Sequence, residues 1–285
     1  MAWLVVVDAG WATSIQDAGR PGRADIGVPR SGAVDAPTRA VLNRLVGNPD
    51  DAAVLETLGG LRLTLTTGGV VASAAEHAAR AVGADEEISV DPRPGHLWAY
   101  LAVRGGIAVE PVLGSRSRDS VSGLGPPAVL AGARLPIGRD PGTPILVDQA
   151  PPPTSDGTVR IWPGPRLDWF ADGAFDQLCA TAWTVSSDVS RVGARLDGPP
   201  LARPITAELP SEGLLIGAIQ VPSDGRPVVM LADHPTTGGY PVVAVVDGRD
   251  LATIGQSRPG AQVRFRLVDG LRTGRPGSFQ RLLDG

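Results

Sequence analysis

Glu208–Val243 reads ELPSEGLLIGAIQVPSDGRPVVMLADHPTTGGYPVV, and its punctuation decides the fold. Two apolar runs, Leu214–Val221 and Pro227–Ala232, flank Pro222-Ser223-Asp224-Gly225. Runs of this length around a Pro/Gly turn predict two buried β-strands joined tightly. The second run stops at Asp233. Thr236-Thr237-Gly238-Gly239-Tyr240 follows and opens a third run, Val242–Val246. A strand that delivers a carboxylate, two hydroxyls, two glycines and a phenol into one loop is suited to holding a ligand. Glycine lets the backbone approach closely and expose its N–H groups. The same residues also describe a plain β-turn whose polar groups satisfy one another.

The rest of the 285-residue chain has the same texture. It contains 37 Gly and 27 Pro, with 20% charged and 42% hydrophobic residues. That balance supports a real core built from short strands and many turns, a mainly β fold with short helices. Strand candidates are Trp3–Asp8, two strands in Val54–Thr66 about Gly59-Gly60, Gly95–Val103, Ala133–Ile137, Pro144–Val147 and Thr158–Trp162. One good helix follows Asp35, a plausible N-cap, with Pro37 in its first turn. Ala40, Val41, Leu42, Leu45 and Val46 form its apolar face, and Gly47-Asn48-Pro49 end it. A shorter helix is expected over Asp168–Ala182, broken at Gly173. Val70–Ala84 is alanine-rich and ambiguous. Glu56, inside an apolar strand, implies either an outward face or a buried pairing with an arginine.

Three polar loops stand out: Thr13–Ser31, Gly114–Gly125 and Ser186–Arg195. Long loops in a compact domain are more often functional than idle. Gln149–Gly157 (QAPPPTSDG) reads as a linker. It divides the chain into β-rich domains over 1–150 and 158–270, with a Gly- and Arg-rich tail, 271–285, expected to fray.

Several chemistries are excluded by composition. All 26 basic residues are arginine; there is no lysine. That removes a Walker-type lysine, a Schiff base, Ser–Lys machinery and a biotin-carrier lysine. The net charge of −4 and the absence of a basic block point away from nucleic acid. The apolar runs are too short to span a bilayer. The N-terminus reads as a first strand without a basic leader, so cytoplasmic residence is expected. His77, His96 and His234 show no metal-ligand spacing, so no metal site is expected. Cys179 sits among apolar residues at helical spacing and reads as a small hydrophobe.

Together these segments resemble one family. Ile15–Gly22, Gly27–Asp35 and Ala40–Asn48, with Glu56 behind them, are similar to the N-terminal signature of the KipA family. Its members are variously labelled allophanate hydrolase subunit 2, biotin-dependent carboxyltransferase, or the C component of the prokaryotic 5-oxoprolinase complex. Leu101–Gly106, Gly114–Ser117, Pro163-Gly164-Pro165 with Asp168-Trp169-Phe170, Ser190–Gly193, Gly217–Pro222 and Thr236–Pro241 continue the match in order. The resemblance covers residues 3 to 268. Departures are Arg30 before Ser31, the Ala72–Ala84 region, and Val242 where a polar residue is usual.

The resemblance implies two cyclophilin-like β-barrel domains. It implies a KipI-like protein (the B component) as partner and a lactam-utilisation-type protein (the A component) completing the assembly. The implied activity is ATP-dependent opening of the 5-oxoproline lactam to glutamate, with ATP and Mg bound by this chain or its partner. The residues themselves show no complete nucleophile–base pair and no nucleotide-binding signature, so little activity is expected of the isolated chain. Two alternatives follow from the same family: a carboxyltransferase served by biotin on another protein, and a non-enzymatic regulator of the KipI-like partner. For the lactamase chemistry the candidates are Asp17, Arg20, Asp233 and Arg104 as catalytic groups. Ser31, Gly32, Gly105, Gly106, Arg191, Gln220, Thr236, Thr237, Gly238, Gly239 and Tyr240 are candidates to bind substrate or phosphate. Arg20, Arg104 and Arg191 would clamp anions, and Asp35 is a further water or metal ligand if it is not simply a helix cap. Asp233→Asn and Arg20→Ala are expected to stop turnover without unfolding the chain.

Overall fold

The computed structural model describes residues 2–268, so the tail expected to fray lies outside the described residues. Before residue 150 the strands are β1 (Trp3–Ala9), β2 (Ser14–Gln16), β3 (Val54–Thr57), β4 (Leu61–Leu65), β5 (Gly69–Ser73), β6 (Ala78–Val82), β7 (Ile88–Val90), β8 (Ala99–Val103) and β9 (Arg134–Pro136). They form two sheets, ordered β7-β4-β1-β9 and β2-β3-β8-β5-β6. Strand alternation explains the packing. In β4, Leu61, Leu63 and Leu65 are buried while Arg62 faces out. One core cluster unites Leu4, Val6, Leu55, Leu63 and Leu101 from both sheets. The opposite face of the five-stranded sheet carries Tyr100 and Ala102. Helix α1 (Ala36–Leu45) covers it with Leu42, and Val46 follows.

Val54–Thr66 does hold two strands, but they are not a hairpin. Gly59-Gly60, at φ +115° and +72°, carries the chain from β3 in one sheet to β4 in the other. A Cβ on Gly59 would lie 2.8 Å from the Pro92 ring. Val70–Ala84 resolves as the β5–β6 hairpin, in register from Gly69↔Val82 to Ser73↔Ala78. Pro144–Val147 is not a strand. The segment runs over the surface with Leu146 89% exposed. Pairing to the β6 edge begins only at Asp148, whose carbonyl accepts the Ala79 N–H at 2.6 Å, with Gln149 opposite Ala78. Pro141 and Pro144 offer no N–H to a ladder, which disfavours earlier pairing.

After residue 157 come β10 (Thr158–Pro163), α2 (Ala174–Ala180), β11 (Ala182–Val189), β12 (Gly193–Asp197), β13 (Glu212–Gly213), β14 (Ala218–Gln220), β15 (Val228–Met230), β16 (Thr237–Gly238), β17 (Val242–Val246), α3 (Leu251–Gly255) and β18 (Gln262–Leu267). Seven of them close a barrel in the order β10-β17-β14-β15-β12-β11-β18. Closure runs through a parallel pair, β10 with β18, from Thr158↔Arg264 to Ile161↔Leu267. The two apolar runs of the opening stretch become β14 and β15, paired at Ile219↔Val229. Gly225, at φ +75°, donates its N–H to the Pro222 carbonyl at 3.0 Å and closes their turn. Val159, Ile161, Trp183, Leu196, Val229 and Phe265 fill the barrel.

The helix expected over Asp168–Ala182 splits at Gly173, at φ +80°, into a 3-10 turn at Leu167–Trp169 and α2. Ser186–Arg195 is not a free loop. β11 and β12 extend into it as a hairpin, and Ser187 and Asp188 occupy outward positions. The two halves are stitched by Gln256 at the end of α3. Its side-chain oxygen accepts the Trp98 N–H at 2.8 Å, and its amide donates to Asp35 at 2.9 Å.

Candidate functional site

Arg191 lies in the turn between β11 and β12 and reaches across to the first half of the chain. Its Nε and Nη2 donate to Asp233 at 2.8 and 2.9 Å. Nη1 donates to Glu56, and Nη2 also to the Gly32 carbonyl at 2.7 Å. Glu56 further accepts the Tyr100 hydroxyl at 2.7 Å and the Val34 N–H at 2.9 Å. Asp233 accepts the Ser120 N–H at 2.9 Å. Arg191, Glu56 and Asp233 are 5%, 0% and 1% exposed. Of the two readings open for Glu56, buried pairing with an arginine is the one the fold adopts. β3 places Glu56 opposite Tyr100 of β8, on the face that meets α1.

Burial works against each charge, and the partners decide the balance. Desolvation pulls Arg191 down, but Glu56 and Asp233 outweigh it and raise its pKa. Burial pushes Asp233 up, yet the guanidinium and the Ser120 bonds hold it below the usual carboxylate range. Glu56 is raised because its complete burial exceeds the help from Arg191 and Tyr100. The arrangement locks four segments, around residues 32, 56, 120 and 233, onto one cation. Breaking such a pair leaves a buried charge without compensation.

Asp17 is a second hub. It accepts from the Ser115 and Ser117 hydroxyls, both at 2.6 Å, and from the N–H groups of Gly19 at 2.7 Å and Arg116 at 2.5 Å. The polar loops at 13–31 and 114–125 are therefore one structure. Arg20, 2% exposed, adds donors to the Val112 and Ser117 carbonyls. Ser31 donates to Asp119 at 2.9 Å, and its backbone is left-handed at φ +53°. A non-glycine residue there is strained, and such strain clusters at functional sites. Asp17, Arg20, Ser31, Gly32, Arg191 and Asp233 thus belong to one connected network. Asp35 is the N-cap of α1, accepting the Thr38 N–H at 2.9 Å.

The other candidates lie apart from that network. Thr237, Gly239 and Tyr240 are exposed on the barrel, where β13 and β16 pair at Glu212↔Gly238. Gln220 lies beneath them, and its amide donates to the Tyr240 carbonyl at 3.0 Å. A Cβ on Gly238 would come within 2.4 Å of that amide, which explains the glycine by close approach of Gln220. Thr236 gives its carbonyl to the Leu214 N–H at 2.9 Å. Arg104 is held by Asp140 at 2.7 Å and by the Val46 carbonyl at 2.9 Å. The Gly105 N–H donates to Asn48 at 2.8 Å, and the Gly106 N–H to Val103. These glycine N–H groups therefore have partners within the chain.

Sequence reading missed Tyr100, Asp119 and His234 as members of the site. Tyr100 lies inside an apolar strand and Asp119 inside a turn, so neither carries a local pattern. His234 is 6% exposed beside Asp233, with its Nδ1 2.7 Å from the Pro235 carbonyl. All three histidines are pulled below their ordinary range, with burial as the first cause in each. The unfolded chain then takes up protons that the folded chain refuses, so stability falls as pH drops through and below the unfolded histidine value of about 6.5. Glu56, with its raised value, works in the opposite sense. We expect a lower melting temperature at pH 6 than at pH 7.5, read by thermal denaturation. A higher value at pH 6 would contradict the burial of these imidazoles. Among the described residues no group of three or more His, Cys, Asp or Glu is placed to hold a metal ion. No helix among them is long and apolar enough to cross a membrane.

A closed seven-stranded barrel is joined to a second β unit through buried charges, and residues 26–267 match the family model for the carboxyltransferase domain, subdomain A and B. The chain belongs to this family. It is 35% identical to the C component of 5-oxoprolinase from Escherichia coli (strain K12), over 92% of this chain and 90% of that protein. It is 30% identical to urea amidolyase of Lachancea kluyveri, over 98% of this chain and 18% of that one. Among solved structures, the crystal structure of TTHA0988 superposes with a TM-score of 0.82 at 34% identity, covering 93% of this chain and 56% of its own. The urea carboxylase of Kluyveromyces lactis superposes with a TM-score of 0.79 at 28% identity, over 94% and 27%. This chain thus spans about half of the first structure and about a quarter of the second. The family resemblance read from the sequence holds.

Proposed function

We propose that this chain is the C component of a 5-oxoprolinase, a cytoplasmic assembly that uses ATP to open the 5-oxoproline lactam to glutamate. The observation that carries the reading is the match to the Escherichia coli C component, which extends over 90% of that protein and 92% of this one. The reaction needs the lactam oxygen to take the γ-phosphoryl group of ATP, with ADP leaving. Water then adds to the activated carbon, and the ring C–N bond breaks with the nitrogen taking a proton. A second water releases phosphate and leaves the side-chain carboxylate. Such chemistry depends on positioned donors more than on a covalent nucleophile. Cys179 fits that division, since burial raises its thiol pKa and makes thiolate scarce.

In this reading Arg20 and the Asp17 loop present donors to the reacting oxyanions. The Thr236–Tyr240 turn offers hydroxyls and backbone N–H groups at the rim. Asp233 acts with Arg191 to hold those loops in place. Magnesium enters with the nucleotide, bound here or on the partner. A KipI-like protein and a lactam-utilisation-type protein supply the rest, so the isolated chain turns over little or nothing. A carboxyltransferase reading, with biotin carried by another protein, is favoured by the likeness to the Kluyveromyces lactis urea carboxylase.

The test is glutamate release from 5-oxoproline by the chain reconstituted with its two companion proteins. ATP-dependent glutamate from the complex, and none from the chain alone, is the expected result. Absence of glutamate from a folded, assembled complex would transfer the assignment to carboxyl transfer, with carboxybiotin and urea as the next substrates.

A further inference from the structure

Trp11 is 75% exposed, yet its backbone is fixed on both sides. Its N–H donates to the Gly59 carbonyl at 2.9 Å. Its own carbonyl accepts the Leu58 N–H at 2.9 Å and the Thr57 hydroxyl at 3.1 Å. The residues on either side, Gly10 and Ala12, are left-handed, at φ +59° and +51°. A Cβ on Gly10 would lie 2.2 Å from the Gly59 carbonyl oxygen, so a side chain does not fit there. Alanine at positive φ is strained, and such strain persists only where the surrounding structure imposes it. The outcome is a rigid backbone that holds an indole out to solvent, although an indole is among the side chains with most to gain from burial.

The surface beside the indole is apolar too. Residues 129–133 run alongside β1 and its exit. The Val129 N–H donates to the Thr13 carbonyl at 3.2 Å, the Gly132 N–H to the Val6 carbonyl at 2.8 Å, and the Val6 N–H to the Ala133 carbonyl at 2.9 Å. This brings Leu130, 67% exposed, to the same stretch of surface as the exposed Val7, Trp11 and Ala12. Neither contributing stretch carries a charge: 9–16 reads AGWATSIQ and 120–133 reads SVSGLGPPAVLAGA. Charges stand at the margin, where Asp8 faces Arg62 at 3.6 Å and Asp91 accepts the Gly60 N–H at 2.7 Å. A charge-depleted centre with an aromatic anchor and a polar rim is the make-up of a protein–protein interface. A backbone already fixed lowers the ordering cost of docking.

What covers this face follows from the relatives. TTHA0988 superposes on 93% of this chain but has only 56% of its own length in the match, so there the fold is built into a larger polypeptide. The Escherichia coli relative, matched over 90% of its length, is by name one component of an enzyme. In both, this fold works with further polypeptide. A second copy of this chain fits less well, because it would bring another net charge of −4 and the patch holds no charge to oppose it. We propose that the face carrying Trp11 and Leu130 docks a companion protein of the assembly, which covers the indole with an apolar, uncharged surface of its own. The inference rests on the 5-oxoprolinase reading for its occupant, the KipI-like protein.

The experiment is titration calorimetry of the full chain with the KipI-like protein, using the wild type, Trp11→Ser, Leu130→Ser and Leu146→Ser. The last removes an apolar side chain that is 89% exposed on another segment. All three substituted side chains are exposed, and unchanged melting confirms that the variants fold. Trp11→Ser should weaken binding about thirtyfold or more, as loss of an aromatic anchor does, and Leu130→Ser by a smaller factor. Leu146→Ser should bind as the wild type. The proposal falls if the wild type does not bind, if Trp11→Ser binds normally, or if all three variants weaken equally. It falls too if the chain alone is a dimer that Trp11→Ser dissociates, which would make a second copy the occupant. Glutamate release by the assembled complex separates this inference from the enzyme reading. Binding that depends on Trp11, without glutamate, keeps the surface and removes the reading. Normal binding and turnover with Trp11→Ser keeps the reading and removes the surface.

Discussion

Arg191→Met lowers the stability of the chain by about 3–5 kcal/mol, the range for removing one partner from a buried ion pair. The reason is specific to this fold. One cation compensates two carboxylates, Glu56 and Asp233, that are 0% and 1% exposed. Methionine fills similar space but leaves both charges buried. Domains of ordinary stability have about 5–15 kcal/mol in hand, so the variant stands near the edge of folding. Urea denaturation measures the loss. The triple change Arg191→Met, Glu56→Gln and Asp233→Asn removes all three charges together and recovers a large share of it. A single variant within about 1 kcal/mol of the wild type would show that the pair is not compensating as described. The same geometry alters what Asp233→Asn does. That change leaves the Arg191 guanidinium half-compensated, so any loss of turnover carries a stability cost and must be measured per folded molecule.

The second large effect is at Asp17. Asp17→Ala strands two serine hydroxyls and two backbone N–H groups that now point at one carboxylate. The expected loss is roughly 2–4 kcal/mol, from charged hydrogen bonds removed and buried donors left unpaired. It should act locally. The 13–31 and 114–125 loops are held to each other by this residue, so limited proteolysis should cut them faster in the variant while the barrel stays protected. Asp17→Asn, which keeps one oxygen acceptor, should fall between the two. Equal melting and equal cleavage in all three proteins would remove Asp17 as the organiser of the loops.

Some of this was legible residue by residue. The alternation in Leu61–Leu65, the run before Pro222 and the Asp35 cap are local signals, and each produces the expected element. Ambiguity remained where a segment's partner is remote. Val70–Ala84 becomes a hairpin because β8 accepts β5 beside it, a contact that alanine content does not report. Pro144–Val147 has the composition of a strand and lacks a partner edge at that point.

By itself, then, the sequence determined the β-rich class, the turn that creates β14 and β15, the capped helix, the absence of lysine chemistry and the family. These rest on period, turn chemistry and residue identity, all of which are properties of neighbours along the chain. Only the tertiary structure decided that Glu56 and Asp233 share Arg191, that Asp17 binds a loop about 100 residues away, and that Arg39 and Arg20 keep guanidinium nitrogens without acceptors among the described residues. Whether a charged side chain is a clamp, a latch or an open donor depends on what surrounds it after burial. Desolvation makes that choice energetically large, and it acts through contacts that no local pattern encodes.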